Sequence, residues 1–161
     1  MYVDATNSWQ RVADMPSKRA FAAACALDDV VFVSGGYDGS TYLDTVDSYD
    51  MSTNIWQHAP SMTTPRFGHA LVALDGSLFA FGGSNGTSYL RTAEQYSAAT
   101  RKWVEIASMS VARWGVAGCA LGVSSAAHCF VANANRAQMC ALPDVSRFDF
   151  TSRAFTPFGR A

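Results

Sequence analysis

Short apolar runs, each ended by turn-forming residues, recur along the whole chain. Phe21 to Leu27 (FAAACAL) and Val30 to Val33 (VVFV) flank Asp28-Asp29, and Leu78 to Phe81 (LFAF) is another such run. Between them lie alternating stretches such as Asp44 to Asp50 (DTVDSYD), then a short segment carrying a tryptophan. Runs of this length with alternation and turn signals predict strands. No window carries the 3.6-residue period of a long amphipathic helix. The pattern therefore predicts an all-β chain built from antiparallel four-stranded sheets.

The pattern repeats every 47 residues. Tyr2, Tyr49 and Tyr96 fall in one column, as do Trp9, Trp56 and Trp103, Met15, Met62 and Met109, and Arg19, Arg66 and Arg113. Two inner runs end on adjacent glycines, Gly35-Gly36 and Gly82-Gly83. A chain that leaves a buried strand sharply beside another backbone needs positive φ and no side chain, which only glycine supplies freely. Residues needed once per unit serve the unit, so the Trp, Tyr and Met columns are expected in the seams between sheets. Cys25 and Cys119 share a register and are expected to be small buried side chains.

The last unit departs from this pattern. Val31 to Gly36 can be set against Phe130 to Asn135 at a shift of 99 in place of 94, and the same shift places Leu142, Val145, Phe148, Asp149 and Phe155 on Leu43, Val46, Tyr49, Asp50 and Trp56. Its glycine pair is absent, so a different turn is expected after the inner strand. Arg160 lies 47 residues beyond Arg113, a match that the insertion makes partly accidental.

Composition narrows the function. With 161 residues the chain can build a sizeable core, and its net charge of -1 offers no basic stripe for nucleic acid or an anionic membrane. The uncharged stretch Trp114 to Ala132 is interrupted by Ser124, Ser125 and His128, and the repeat divides it into two strands, which argues against a membrane span. No signal peptide is visible at Met1. The four cysteines are accordingly expected as reduced thiols in a cytosolic setting. Asn85-Gly86-Thr87 is then a turn sequence, whatever its formal likeness to a glycosylation site. His58, His69 and His128 have no partners at metal-ligand spacing, and nothing resembles a P-loop or a nucleophile elbow. No metal and no cofactor is expected. Asp28, Asp29, Asp44, Asp47 and Asp50 read as turn and solvated-face residues.

Units written as arginine, apolar run, apolar run with a glycine pair, tyrosine, tryptophan, then M-x-x-x-R resemble kelch repeats, whose fold is a β-propeller. The segment Gly35 to Trp56 (GGYDGSTYLDTVDSYDMSTNIW) is most similar to the propellers of kelch-like adaptor proteins. The resemblance implies a partial propeller: a half blade over residues 1–18, repeats over 19–65 and 66–112, and a degenerate repeat over 113–161. A ring of four to eight blades usually closes by pairing its two ends. The exposed blade face left here predicts either a fragment of a longer ring or self-association.

The resemblance also implies a protein-interaction module that presents loops to a protein or acidic peptide, in that family as substrate recognition for a cullin-type ubiquitin ligase adaptor. Arg19, Arg66 and Arg113 would line the central pocket, with Tyr37 and Ser84 after the glycine pairs and Ser40 and Asn85 nearby. Guanidinium forks suit capture of acidic side chains, although an arginine can equally satisfy carbonyls between blades. Binding to actin or other cytoskeletal proteins belongs to the same class. A kelch-propeller oxidase or isomerase is the alternative of another class, and the loops show no convergent acid-base set for it.

Overall fold

The computed structural model describes the backbone of residues 1–123, 126–133, 146–149 and 154–157, and the side chains of residues 1–120. A two-stranded ribbon opens the chain, β1 (Tyr2–Val3) and β2 (Ser8–Trp9), joined through a single 3-10 turn. Three four-stranded sheets follow. The first holds β3 (Ala23–Leu27), β4 (Val30–Ser34), β5 (Val46–Asp50) and β6 (Ile55–Ala59); the second holds β7 (Ala70–Leu74), β8 (Ser77–Phe81), β9 (Ala93–Ser97) and β10 (Lys102–Ile106). In the third are β11 (Val116–Val123), β12 (Ala126–Asn133), β13 (Ser146–Asp149) and β14 (Ala154–Pro157). Each strand pairs antiparallel with its neighbour in sequence, and β7 packs against both β3 and β11, so the first strands of the three sheets lie side by side. No helix among the described residues is long and apolar enough to cross a membrane.

The repeat columns are columns of strand register. Tyr2 stands opposite Trp9, Tyr49 opposite Trp56, Tyr96 opposite Trp103, and in the degenerate unit Phe148 stands opposite Phe155. Alignment of the last unit's inner strand needs a correction of one residue. Cys119 pairs with Phe130 as Cys25 pairs with Phe32, so the shift there is 98, and it reaches 99 only at β13. The extra residues have a simple place. The first hairpin of the third sheet continues beyond Leu121–His128 by two further pairs, Gly122–Ala127 and Val123–Ala126. Extending a hairpin by whole pairs leaves every side chain on its original face, whereas one extra residue in one strand would invert them. Leu142, Val145, Ala134, Asn135 and Arg160 lie outside the described residues.

Two apolar seams hold the sheets together. Between the first and second, Val46, Met62, Leu71, Leu78, Ala80, Tyr96 and Trp103 form one buried cluster, with Ala23, Cys25, Leu27 and Phe32 packed on it. Between the second and third, Ala70, Val72, Phe79, Phe81, Ala93 and Met109 form the other, against Val116 and Ala120. Tryptophan closes a seam by hydrogen bonding as well as by area. Trp56 Nε1 donates to the Ala13 carbonyl and Trp103 Nε1 to the Pro60 carbonyl, each at 2.9 Å and each 43 residues back.

Departures from the expected seam burial arise at faces of the outermost sheets, and Tyr2, expected in a seam, is 46% exposed on the opening ribbon. Trp9, expected in a seam, is 81% exposed, because the indole of each unit turns toward the unit before it. Cys119 is exposed on the opposite side, because odd-numbered positions of β11 face away from the seam that Val116 and Ala120 enter. Cys25 lies in a filled seam, and burial pushes its thiol up to about 12.

This difference is testable. Trp103→Ala, which empties the first seam, should cost about 3–5 kcal/mol in urea unfolding, while Trp9→Ala should cost less than about 0.5 kcal/mol. Equal losses would contradict the seam assignment.

Candidate functional site

The loops after β4 and β8 share one rim of the sheets with the segments that lead into β3, β7 and β11. The glycine pairs fix this rim. Gly35 and Gly36 have φ of +59° and +99°, and Gly82 and Gly83 repeat the conformation at +62° and +89°. A side chain on Gly35 would collide with the Arg66 carbonyl, and one on Gly36 would come within 2.8 Å of the Ala20 carbonyl. That space is used for bonding across the seam. Gly36 N donates to Arg66 O and Gly83 N to Arg113 O, both at 2.7 Å, while the Arg66 and Arg113 amides donate back to Leu43 O and Leu90 O at 3.0 Å.

The Arg66 side chain turns into its own unit. Arg66 Nη1 donates to the carbonyls of Gly82 and Thr92, at 2.9 and 3.0 Å, and Arg66 Nη2 reaches Glu94 Oε1 at 2.9 Å. Arg19 does likewise, with Gly35 O and Thr45 O at 2.9 Å and Asp47 Oδ2 at 2.7 Å. Both ion pairs are shut away from water, with side-chain exposures of 0–1%. Arg113 is buried as well. The guanidinium forks of Arg19 and Arg66 are thus engaged within the fold and do not project into a pocket. Asp47 departs from the solvated role expected of it. Burial alone would raise its carboxyl, but donors on Arg19, Ser17 and His58 outweigh that and hold it below the usual range. Glu94 stands 47 residues beyond Asp47 and takes the same part.

The remaining candidates shape loops. Ser84 is buried, donating to Ser88 O at 2.9 Å and accepting from Gly86 N at 3.2 Å. Asn85 Oδ1 accepts from the Thr87 and Ser88 amides at 3.0 and 2.9 Å. Its counterpart Asp38 does the same for Ser40 and Thr41, both at 2.7 Å; the Thr41 amide first, then that of Ser40, holds the Asp38 carboxyl low. Ser40 itself is exposed. Tyr37 is half-buried and its hydroxyl donates to Gly39 O at 2.8 Å.

What the rim presents instead is aromatic. Tyr42 stacks on Phe67 with centroids 4.9 Å apart, Phe67 meets Trp114 at 5.9 Å, Tyr89 stacks over Trp114 at 6.5 Å, and Tyr37 touches Tyr42 at 5.1 Å. Phe21 packs on both Phe67 and Trp114, at 6.2 and 6.1 Å. Phe21, Tyr42 and Tyr89 are exposed, so the cluster crosses all three sheets and still faces water. Of this cluster only Tyr37 was expected at the site, although the signal for others was present: Tyr42 with Tyr89 and Phe67 with Trp114 are further columns of the 47-residue period.

A family model, the KLHDC2/KLHL20/DRC7 Kelch-repeats domain, matches residues 2–159. The chain belongs to this kelch-repeat family. Human (Homo sapiens) Kelch-like protein 4 is 52% identical over 44 residues, 27% of this kelch chain and 6% of that protein. Kelch-like protein 25 of Xenopus tropicalis is 44% identical over 45 residues, 28% of the chain and 8% of the relative. The chain spans only a small part of the length of these relatives. A solved structure titled "Structure of YjhT" superposes with a TM-score of 0.71 at 14% identity, over 93% of this chain and 54% of its own, a likeness of fold. The kelch fold is therefore a partial β-propeller whose blades are the four-stranded sheets. As a class it is a protein-interaction module.

Two measurements test the rim's foundations. Glu94→Gln leaves the Arg66 charge buried without its counter-ion and should cost about 3–5 kcal/mol in chemical denaturation; a loss below about 1 kcal/mol would contradict a working buried pair. His69 is buried, its Nε2 2.8 Å from Ser34 Oγ, and burial followed by the Arg66 charge lowers its pKa to about 3. Unfolded chain takes up that proton near pH 6.5 and folded chain does not, so stability should fall as pH drops from about 6.5 toward 3, by roughly 1.4 kcal/mol per unit. In His69→Gln this component of the pH slope should vanish; an unchanged slope would contradict the assignment.

Proposed function

We propose that the glycine-pair rim of this kelch propeller binds a protein or peptide partner. The reading rests on one observation: aromatic side chains of all three blades converge on this rim, and Phe21, Tyr42 and Tyr89 stay exposed there. Aromatic residues give large contact area for little lost side-chain freedom and dominate the energetics of most protein interfaces. Exposed rings fixed by neighbouring rings are already in place for a partner.

Binding is favoured over catalysis by how the charged groups are arranged. Arg66 with Glu94 and Arg19 with Asp47 are buried against each other, so these groups stabilise blades and are withheld from a substrate. Substrate recognition for a cullin-type ligase adaptor, in a cytosolic setting, is the role that the likeness to kelch-like proteins supports.

A pull-down from cell extract with quantitative mass spectrometry tests the rim. Wild-type chain should enrich a discrete partner, and a Tyr42→Ala, Tyr89→Ala double variant of unchanged melting temperature should lose about nine-tenths of it, as expected when hot-spot rings are truncated. Equal enrichment by both would contradict binding at this rim.

A further inference from the structure

Residues 21, 68 and 115 form one column of the repeat, and all three lie in the left-handed region, with φ of +55°, +61° and +68°. The second and third units carry glycine there. The first carries phenylalanine. A bulky residue in this conformation is an outlier, held only where its surroundings impose it. The surroundings here are the next blade: Gly68 N donates to the Phe21 carbonyl at 2.8 Å, as Gly115 N donates to the Gly68 carbonyl at 2.9 Å. Burial does not compensate, since Phe21 is 63% exposed. Glycine would serve the fold better, so the ring stands on a strained backbone in open water beside Phe67 and Trp114.

Charge at the same rim is balanced. Arg19 and Arg66 are locked in internal ion pairs. Among the described residues, the loops at this end otherwise carry Lys18 and Arg91 against Asp38 and Asp44, and Arg113 is buried. Among the described residues nothing in this arrangement favours an acidic ligand, and the contact surface offered at its middle is aromatic carbon.

Building on the rim-binding reading above, we propose that Phe21 is the specificity-determining anchor of the site, and that its partner is a peptide segment carrying an uncharged aromatic or aliphatic side chain. That side chain packs on Phe21, Phe67 and Trp114. Affinity then comes from apolar burial and is insensitive to salt, because no phosphate-like or carboxylate charge is neutralised.

A phage library of random linear peptides, selected on wild-type chain and on Phe21→Gly, provides the test. Peptides enriched on wild type should share an aromatic or aliphatic anchor without net negative charge. Their affinity should change by less than about twofold from low to near-molar NaCl. Phe21→Gly should weaken these peptides by about tenfold or more while melting no lower than wild type, since glycine relieves the backbone. Enrichment of acidic peptides with strongly salt-dependent binding would overturn the proposal, as would unchanged binding by Phe21→Gly or a lowered melting temperature in that variant. Failure of any peptide to enrich over an unrelated β-protein would overturn the rim-binding reading itself, and this inference with it.

Discussion

The arginine that opens each unit is the joint on which the structure depends. Its backbone is gripped by the preceding blade, where Gly36 N and Leu43 O hold Arg66 and Gly83 N and Leu90 O hold Arg113. The side chain, in the case of Arg66, runs the other way into its own blade, to Gly82 O, Thr92 O and Glu94. One residue thereby ties the glycine loop of one sheet to that of the next. The glycine pair is the other half of the joint, because a Cβ on Gly35 would occupy the space of the Arg66 carbonyl. Burial of the charge is tolerable only because the carboxylate and the carbonyls meet every side of the guanidinium.

Rim chemistry follows from this joint. With its donors committed inside the sheets, the arginine leaves the surface to the residues beside it in sequence. Phe67 follows Arg66 and Trp114 follows Arg113, so these two buried arginines each set an aromatic ring at the mouth of the next inner strand, whereas Ala20 follows Arg19 and the ring comes one residue later, at Phe21. Loop geometry then brings Tyr42 onto Phe67 and Tyr89 onto Trp114. Gly86 is part of the same packing, since a side chain there would run into the Tyr42 ring. The device that holds the blades together therefore also arrays the rings that face outward.

Much of the fold was legible because the period of 47 is a period of strand register, and register decides which side chains reach a seam. The Tyr and Trp columns mark residues opposite each other across the outer pair of strands, and the degenerate unit keeps that pairing with Phe148 and Phe155. The site was less legible. An arginine in a motif shows its chemistry but not its direction, and here the direction is decided by Asp47, which looked like a member of a solvated alternating strand, and by Glu94, which stands 47 residues further on. Trp9 and Cys119 misled for another reason: a repeat column gives a residue's face, while burial depends on whether anything covers that face. Phe21 could have been found only by noticing that a glycine column was broken, since φ is invisible in a single unit.

Amide hydrogen exchange followed by NMR at Gly36 and Gly83 tests the joint most directly. These two amides lie where the chain leaves an inner strand, and each is bonded to an arginine carbonyl across a seam. They should exchange as slowly as amides of the inner strands, because each is freed only by separation of the two blades on either side of its own seam. Exchange at the rate of neighbouring exposed loop amides would show that the blades are not fastened through the arginine, and the account would fail at its first step.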